Sequence, residues 1–449
     1  MNNRCKIIAI AKNEAAYIPQ WIAHHLYFGF EEIEIWVNGT TDNSLSMLGR
    51  IAKKYPGVKF QDANAALHKC QESRGNFQVS AYQAMLEATE QENTMTHIIC
   101  LDLDELWTPK DFVSSIGDAI SDYTADAISF QWHLDTPSDE TSKFSRPFHE
   151  SNIFQKNRHV KTIAKLGKEN LKANIHNFSI PEGDYRLQDG SKFSDMDTDQ
   201  HQKSKVSLEL FNKTKTLIDD FFVVHQIYRS CEEYVASLSR GRNHAGDEQP
   251  IKANRDGYIL EAFSQPGLEF NINKEKLEKY NTFYDCFVSE TEINDLVVEA
   301  REFNQSKYFD VVARVRSSKD FLLLYRNQFK GTKLNDRLVD KINYSHIIYS
   351  IDKVKFNERD GSFVIVGWAF DTLSEQLPAI LHDISSSITT STTIDRPDVK
   401  KIHQDAPLKC GFELLITSER SSTRLTAGDA SNLLIKGAFS SESITIKLN

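Results

Sequence analysis

An α/β domain with a mostly parallel mixed sheet over residues 1–242, a helical connector over 243–343 and a C-terminal β-sandwich over 344–449 is the architecture this sequence predicts. Three observations predict it. Up to about residue 242, short apolar runs of strand length alternate with helical patterns, as a layered sheet with crossover helices requires. From about 243 to 343 the pattern is helical throughout, as in "EINDLVVEAREF" and "SSKDFLLLYRNQF", with no obvious strands. Beyond 344, β-branched alternation broken by turns, as in "KVKFNERDGSFVIVGWAF" and "SITIKL", suits a small sandwich.

The elements follow in order. "KIIAIA" and "EEIEIWVN" read as strands separated by the helix "IPQWIAHHLYF"; "SLSMLGRIAKKY" is the next helix and "VKFQD" the next strand. The helix "VSAYQAMLEATEQ" leads into the strand "HIICLDLD", and "ADAISFQW" and "FFVVH" are later strands. On the "WIAHHLYF" helix, one of His24 and His25 is expected to face the sheet and the other the solvent side. The "FFVVH" strand ends on His225, just before a capping box of Ser230 with Glu233.

The bulk numbers exclude several classes. A chain of 449 residues exceeds one ordinary core, since domains run to roughly 100–200 residues. No apolar run approaches the roughly 20 residues that span a bilayer, and the apolar segment near the N-terminus is too short for a signal peptide, so a cytoplasmic protein is expected. The six cysteines show no C-x-x-C pair, which gives no support for zinc or a disulfide framework. A formal net charge of −10 argues against nucleic acid and for a small, or neutral and polar, partner.

The chemistry gathers at "LDLDELWTPKDF". On a strand, Asp102 and Asp104 would share one face, and like charges so close need a proton, a basic side chain or a divalent metal between them. A helix cap does not use them, because Thr108 and Pro109 of "WTPKDF" already read as N-cap and first helical position. Carboxylates at the carboxyl end of a strand in an α/β sheet suit magnesium or manganese on a diphosphate. Arg74, beside Glu72 and Gln78 at the start of the "FQVSAYQAML" helix, is a further anion-binding candidate. Arg240 and Arg242 in "SRGRNH" offer forked donors to phosphate or sugar hydroxyls.

"KNEAAYIPQWIAHHLYFGF", "WVNGTTDNS", "LDLDEL" and "VVHQIYRSCEEYVASLSRGR", in this order over the first 240 residues or so, resemble the bacterial glycosyltransferases related to glycosyltransferase family 2, with the single-sheet nucleotide-sugar (GT-A type) fold. The resemblance implies a metal-dependent, inverting transfer of a sugar from a nucleotide-diphosphate donor, UDP-hexose by family habit. Asp102, Asp104 and His225 would hold Mn2+ or Mg2+, with Asp102 also near the ribose. Asn13 and Glu14 would lie near the nucleotide, and Asn38 and Asp42 would line the base and ribose pocket. The chain departs from the pattern at Val37 and Asn38, where many relatives carry an acid.

An inverting transfer needs a base for the acceptor hydroxyl. Asp135, Asp139 and Glu150, which follow the strand "ADAISFQW", are the candidates. The stretch "GWAFD…RPDV…CGFELLI" resembles a β domain appended to bacterial polysaccharide glycosyltransferases, in which Trp368 and Phe370 either stack on sugar or pack a core. That company implies a glycan or lipid-linked glycan acceptor in lipopolysaccharide, O-antigen or capsule synthesis, with peripheral association at the inner membrane or in an assembly complex, and room for oligomers. Two rival classes stand beside it. A phosphatase of the haloacid dehalogenase type shares the paired aspartates but has Leu106 where it needs a hydroxyl. A glycan-binding scaffold would use the β domain alone.

Overall fold

The computed structural model describes residues 3–73, 75–136, 142–193, 204–240, 251–252, 255, 257–258, 267–317, 321, 324–332, 334, 347–371, 377–382, 387–403, 406–418, 425, 432–436 and 443–447. Two compact units divide the chain, Met1–Tyr308 and Phe309–Asn449.

The first unit is built on a ten-stranded mixed sheet. Its parallel half consists of β1 (Cys5–Ala11), β2 (Glu32–Val37), β3 (Val58–Asp62) and β4 (His97–Cys100), in the order β3-β2-β1-β4. The crossover helices are α1 (Ile18–Tyr27), α2 (Ser44–Lys54), α3 (Asn64–Glu72) and α4 (Phe77–Glu92). β1 is almost wholly buried, as expected of a central strand covered on both faces. Its one lysine, Lys6, is fully buried and lies 2.6 Å from Glu32 and 2.7 Å from Glu34 of β2, which accounts for two acids in an otherwise apolar strand.

The other half of the sheet is mixed. β5 (Glu105–Pro109), β6 (Ala127–Asp135), the long β7 (Ser151–Lys165) and β11 (Phe221–His225) extend the order as β4-β7-β6-β11-β5. Between β7 and β11, β8 (Lys172–Ala173) pairs with β9 (Phe178–Ser179), and β10 (Tyr185–Leu187) adds to β6. The helices α6 (Leu208–Thr214) and α7 (Cys231–Leu238) precede and follow β11. β7 runs antiparallel to both β4 and β6, whereas β11 is parallel to β6. Consequently the chain ends at Leu101, Asp135 and His225 emerge along the same edge of the sheet.

Four expectations are revised. Thr108 and Pro109 belong to β5 and cap no helix; the next helix, α5 (Ile116–Ile120), starts from a capping box of Ser115 and Asp118. Asp102 and Asp104 lie in a tight turn between β4 and β5, so strand alternation does not place them. The region read as a strandless connector contains β12 (Leu268–Asn271), which pairs with β7, and α8 (Lys274–Glu290), which packs on α1. The first unit accordingly reaches Tyr308, well past 242. Both His24 and His25 are fully buried because both reach the backbone of Trp107 in β5, and each has both ring nitrogens engaged: His24 by Trp107 O and by Tyr280 Oη of α8, His25 by Trp21 O and Trp107 N.

In the second unit, β13 (Ile347–Asn357), β14 (Ser362–Asp371), β16 (Ser387–Ile394) and β17 (Gly411–Ser418) form an antiparallel sheet in the order β13-β14-β17-β16. β15 (Ala379–His382), β18 (Asn432–Lys436) and β19 (Ser443–Lys447) form a second one. Phe363, Ile365, Leu414 and Ile416 of the first share a core with Leu433 and Ile435 of the second, which is a sandwich. Phe370 is buried with Val399, Ala406 and Cys410, and partly buried Trp368 packs on that cluster, so these rings serve packing.

Candidate active site

The turn after β4 holds its charges by giving Asp102 and Asp104 different cationic partners. Lys161 of β7 is fully buried, and its Nζ lies 3.3 Å from Asp102, 3.0 Å from Glu105 and 2.9 Å from the carbonyl of Ile175. A buried ammonium with three acceptors is tolerable; one with none is not. Gln78 Nε2 and Tyr82 Oη each donate to Asp102 Oδ1 at 3.1 Å, and the Asp102 N–H donates to Glu105 Oε2 at 2.8 Å. Burial pushes the Glu105 carboxyl up, opposed by Lys161 and reinforced by Asp102 and Asp104.

Asp104 has different company. Its Oδ2 lies 3.5 Å from His225 Nε2 and 3.9 Å from Arg255. Burial works against its charge, but His225, Arg229 and Arg255 together hold its pKa well below the ordinary carboxylate range. His225 ends β11, is 7% exposed and leans on Trp132 at 4.2 Å between ring centres. Its Nδ1 is buried without a hydrogen-bond partner among the described residues.

Gln78, Asp102, Asp104, Trp132 and His225 line a cleft of about 600 Å³ whose other walls include Lys12, Glu14, Asn38, Arg240, Lys252 and Arg255. Four of those six are cations, so the cleft suits an anion despite the carboxylates at its floor. Glu14 is nearly buried and pairs with Arg240, with Arg229 at 3.8 Å, and so fixes two of the guanidinium groups. Burial, then the neighbouring Arg255, lowers Arg240 to about 10.

Of the expected nucleotide contacts, Glu14, Asn38 and Asp102 lie in the cleft. Asn13 and Asp42 do not line it; they join two loops instead. Asn13, with φ of 52°, accepts from Thr41 N at 2.7 Å and Thr40 Oγ1 at 3.0 Å. Asp42 accepts from Ala15 N at 2.9 Å, Thr40 Oγ1 at 2.7 Å and Ser44 N at 3.0 Å. Arg74, Asp139 and Arg242 lie outside the described residues.

A second cleft, about 450 Å³, opens on the other side of the end of β11. His225 lines the first cleft and Gln226 the second, while the Gln226 N–H donates to Asp104 O at 2.8 Å. Asp135 lies in this second cleft, where burial raises its pKa to about 6 against hydrogen bonds from Gln226 Nε2, at 3.3 Å, and from the Thr136 backbone. Glu150 is exposed and is no part of the wall. A hollow of about 300 Å³ shares Glu14 and Arg240 with the first cleft and Tyr17 and Arg229 with the second.

A divalent cation fits part of the expected ligand set. Among the described residues, no cluster of three or more His, Cys, Asp or Glu side chains can enclose one. Asp104 and His225 nevertheless present an oxygen and a nitrogen 3.5 Å apart, a two-donor set that ligand oxygens and water would complete. The Asp102 oxygens already accept from Gln78, Tyr82 and Lys161, so a cation there competes with an ammonium. Lys161 is the group sequence reasoning missed, although a lysine inside the apolar run "HVKTIA" was the available signal; Glu14 and Arg240 are both among the sequence candidates, but not as partners of one another.

No family model and no curated protein matches the chain. Solved structures match over part of it. A mannosyltransferase from Pyrobaculum calidifontis, in complex with GDP-Man and Mn2+, is 19% identical over 32% of this chain and 38% of its own, with a TM-score of 0.22. The galactosyltransferase LgtC, in complex with donor and acceptor sugar analogues, is 14% identical over 35% of this chain and 57% of its own, with a TM-score of 0.21. An active-site mutant of LgtC overlaps 49% of this chain and 86% of its own at 12% identity and a TM-score of 0.26. The chain thus spans little more than a third of the first and just over half of the second.

Proposed function

We propose that this chain is a glycosyltransferase that moves a sugar from a nucleotide-diphosphate donor in the first cleft to a glycan hydroxyl presented in the second. The observation that carries this reading is the pairing of two clefts across the end of β11. One has a basic wall over a low-pKa carboxylate, and the other contains a carboxyl tuned to about 6. Two carboxylates whose environments drive their pKa values apart take different parts in one reaction.

Arg240, Arg255 and Lys252 face the diphosphate and stabilise the charge that grows on it as the sugar leaves. Asp104 and His225 would hold Mn2+ or Mg2+, which supplies further charge neutralisation there. Asp102, fixed by Lys161, Gln78 and Tyr82, is placed to accept from sugar or ribose hydroxyls. Asp135 takes the acceptor proton at a carboxylate oxygen, and Gln226, linked by its backbone to Asp104 and by its side chain to Asp135, ties the two positions together. One dedicated base supports inversion. UDP-hexose as donor, and a glycan or lipid-linked acceptor in bacterial surface polysaccharide synthesis, extend this reading on the strength of the sequence resemblance, as does peripheral association with a membrane or assembly complex. No described helix is long and apolar enough to cross a membrane.

Calorimetric titration of UDP, GDP and their hexose conjugates into the full chain, with and without Mn2+, tests the reading. Binding of at least one nucleotide diphosphate that strengthens with Mn2+ is expected. No binding by any of them, or release of phosphate from a phosphomonoester instead, would overturn it.

A further inference from the structure

The second cleft brings three arginines to one wall, two of them ion-paired, Arg146 with Asp285 and Arg229 with Glu14. Arg146, Arg229 and Arg301 all line it. Arg229 is occupied: it donates to Leu103 O at 3.1 Å and lies over the Tyr17 ring at 3.3 Å. The other two are held but incompletely used. Arg146 reaches Asp285 with Nη2 and covers the Tyr284 ring at 4.0 Å, while Arg301 lies 5.3 Å from the centre of Phe144. Arg146 Nη1 and Arg301 Nε are nevertheless buried with no hydrogen-bond partner among the described residues, and so is the nearby Thr136 Oγ1. Buried donors left unpaired are costly, and a guanidinium does not shed its proton to escape the cost.

The carboxylates of the cleft do not meet that need. Glu233 closes the capping box with Ser230 and accepts the Phe144 N–H at 3.2 Å. Asp135 has Gln226 as its side-chain partner. Two guanidinium donors and a hydroxyl of one cleft thus lack an acceptor among the described residues, and the rings of Phe144, Tyr17 and Tyr284 add apolar surface to the same walls.

We infer that the second cleft takes a sugar bearing an anionic group, a carboxylate or a phosphate, with Arg146 and Arg301 reading the charge. The inference deepens the proposed transfer and rests on it for the role of acceptor, but not for the binding itself.

Three probes are titrated into the full chain without nucleotide, so the outcome is independent of whether the first cleft takes a donor: methyl β-glucuronide, glucose 1-phosphate and neutral methyl β-glucoside. At least one charged probe should bind about tenfold or more tighter than the glucoside, and which one does separates a uronic acid from a sugar phosphate. Arg146→Gln and Arg301→Gln should each reduce that preference, with melting curves confirming that the variants fold. Equal binding of charged and neutral probes, absence of binding by all three, or a preference that survives both substitutions would overturn the inference; the wild-type comparison decides even if a variant fails to fold.

Discussion

The two clefts beside β11 treat a carboxylate in opposite ways. Asp104 is surrounded by His225, Arg229 and Arg255, which hold its pKa low, whereas half-buried Asp135 has only neutral amide donors and desolvation raises its pKa to about 6. Desolvation acts on both; the difference lies in whether cations answer it. A permanently charged group can hold a cation, and one that titrates near working pH can move a proton. The adjacent residues His225 and Gln226 line one cleft each, and the proposed transfer rests on that arrangement.

Substitutions should break this contrast to unequal extents. Asp104→Ala is expected to have the largest effect, abolishing measurable sugar transfer in an assay with Mn2+, because the remaining imidazole cannot hold a divalent ion alone. Asp135→Asn should lower kcat by about 10²- to 10⁴-fold, the range for loss of a general base; full activity in this variant would move the role to Asp139 or elsewhere.

Stability provides a separate comparison. Lys161→Met removes the ammonium that Asp102 and Glu105 share and should cost about 1–3 kcal/mol in urea unfolding, the scale for leaving buried acceptors unpaired, because the Glu105 carboxyl is already pushed up and can take a proton. His225→Ala should weaken Mn2+ affinity by roughly 10- to 100-fold, read as a smaller metal-induced rise in Tm. The gentlest probe is pH. Because Asp135 must be ionised to accept a proton and its pKa is raised to about 6, the rate should be level above that pH and fall about tenfold per unit below it. Asp104, held low, contributes no inflection in that window.

Much of the contrast is legible in the chain. Alternating strands and helices mark the α/β layer, β-branched alternation marks the sandwich, and Asp102 and Asp104 stand out by their spacing, while His225 enters with the family resemblance and Asp135 as one of three candidate bases. What escapes is long-range. Lys161 is 59 positions from Asp102, and no local periodicity reveals that it lies beneath the turn. The strand at Leu268–Asn271 is four residues long and acquires its identity from pairing with β7. His24 and His25 look divided between sheet and solvent because a single helix pattern cannot show that both rings reach the Trp107 backbone of β5, with Tyr280 of α8 closing over His24. Asn13 and Asp42 are expected at the nucleotide, but the hydrogen bonds that join their two loops claim their side chains.

The most direct test of two clefts with two roles is UDP binding, measured by calorimetry in the presence of Mn2+, for wild type, Asp104→Ala and Asp135→Asn side by side. Wild type and Asp135→Asn should bind with the same affinity, while Asp104→Ala loses the metal-dependent part. If Asp135→Asn lost binding as severely as Asp104→Ala, or if Asp104→Ala bound as wild type does, the division between a donor cleft and an acceptor cleft would be contradicted.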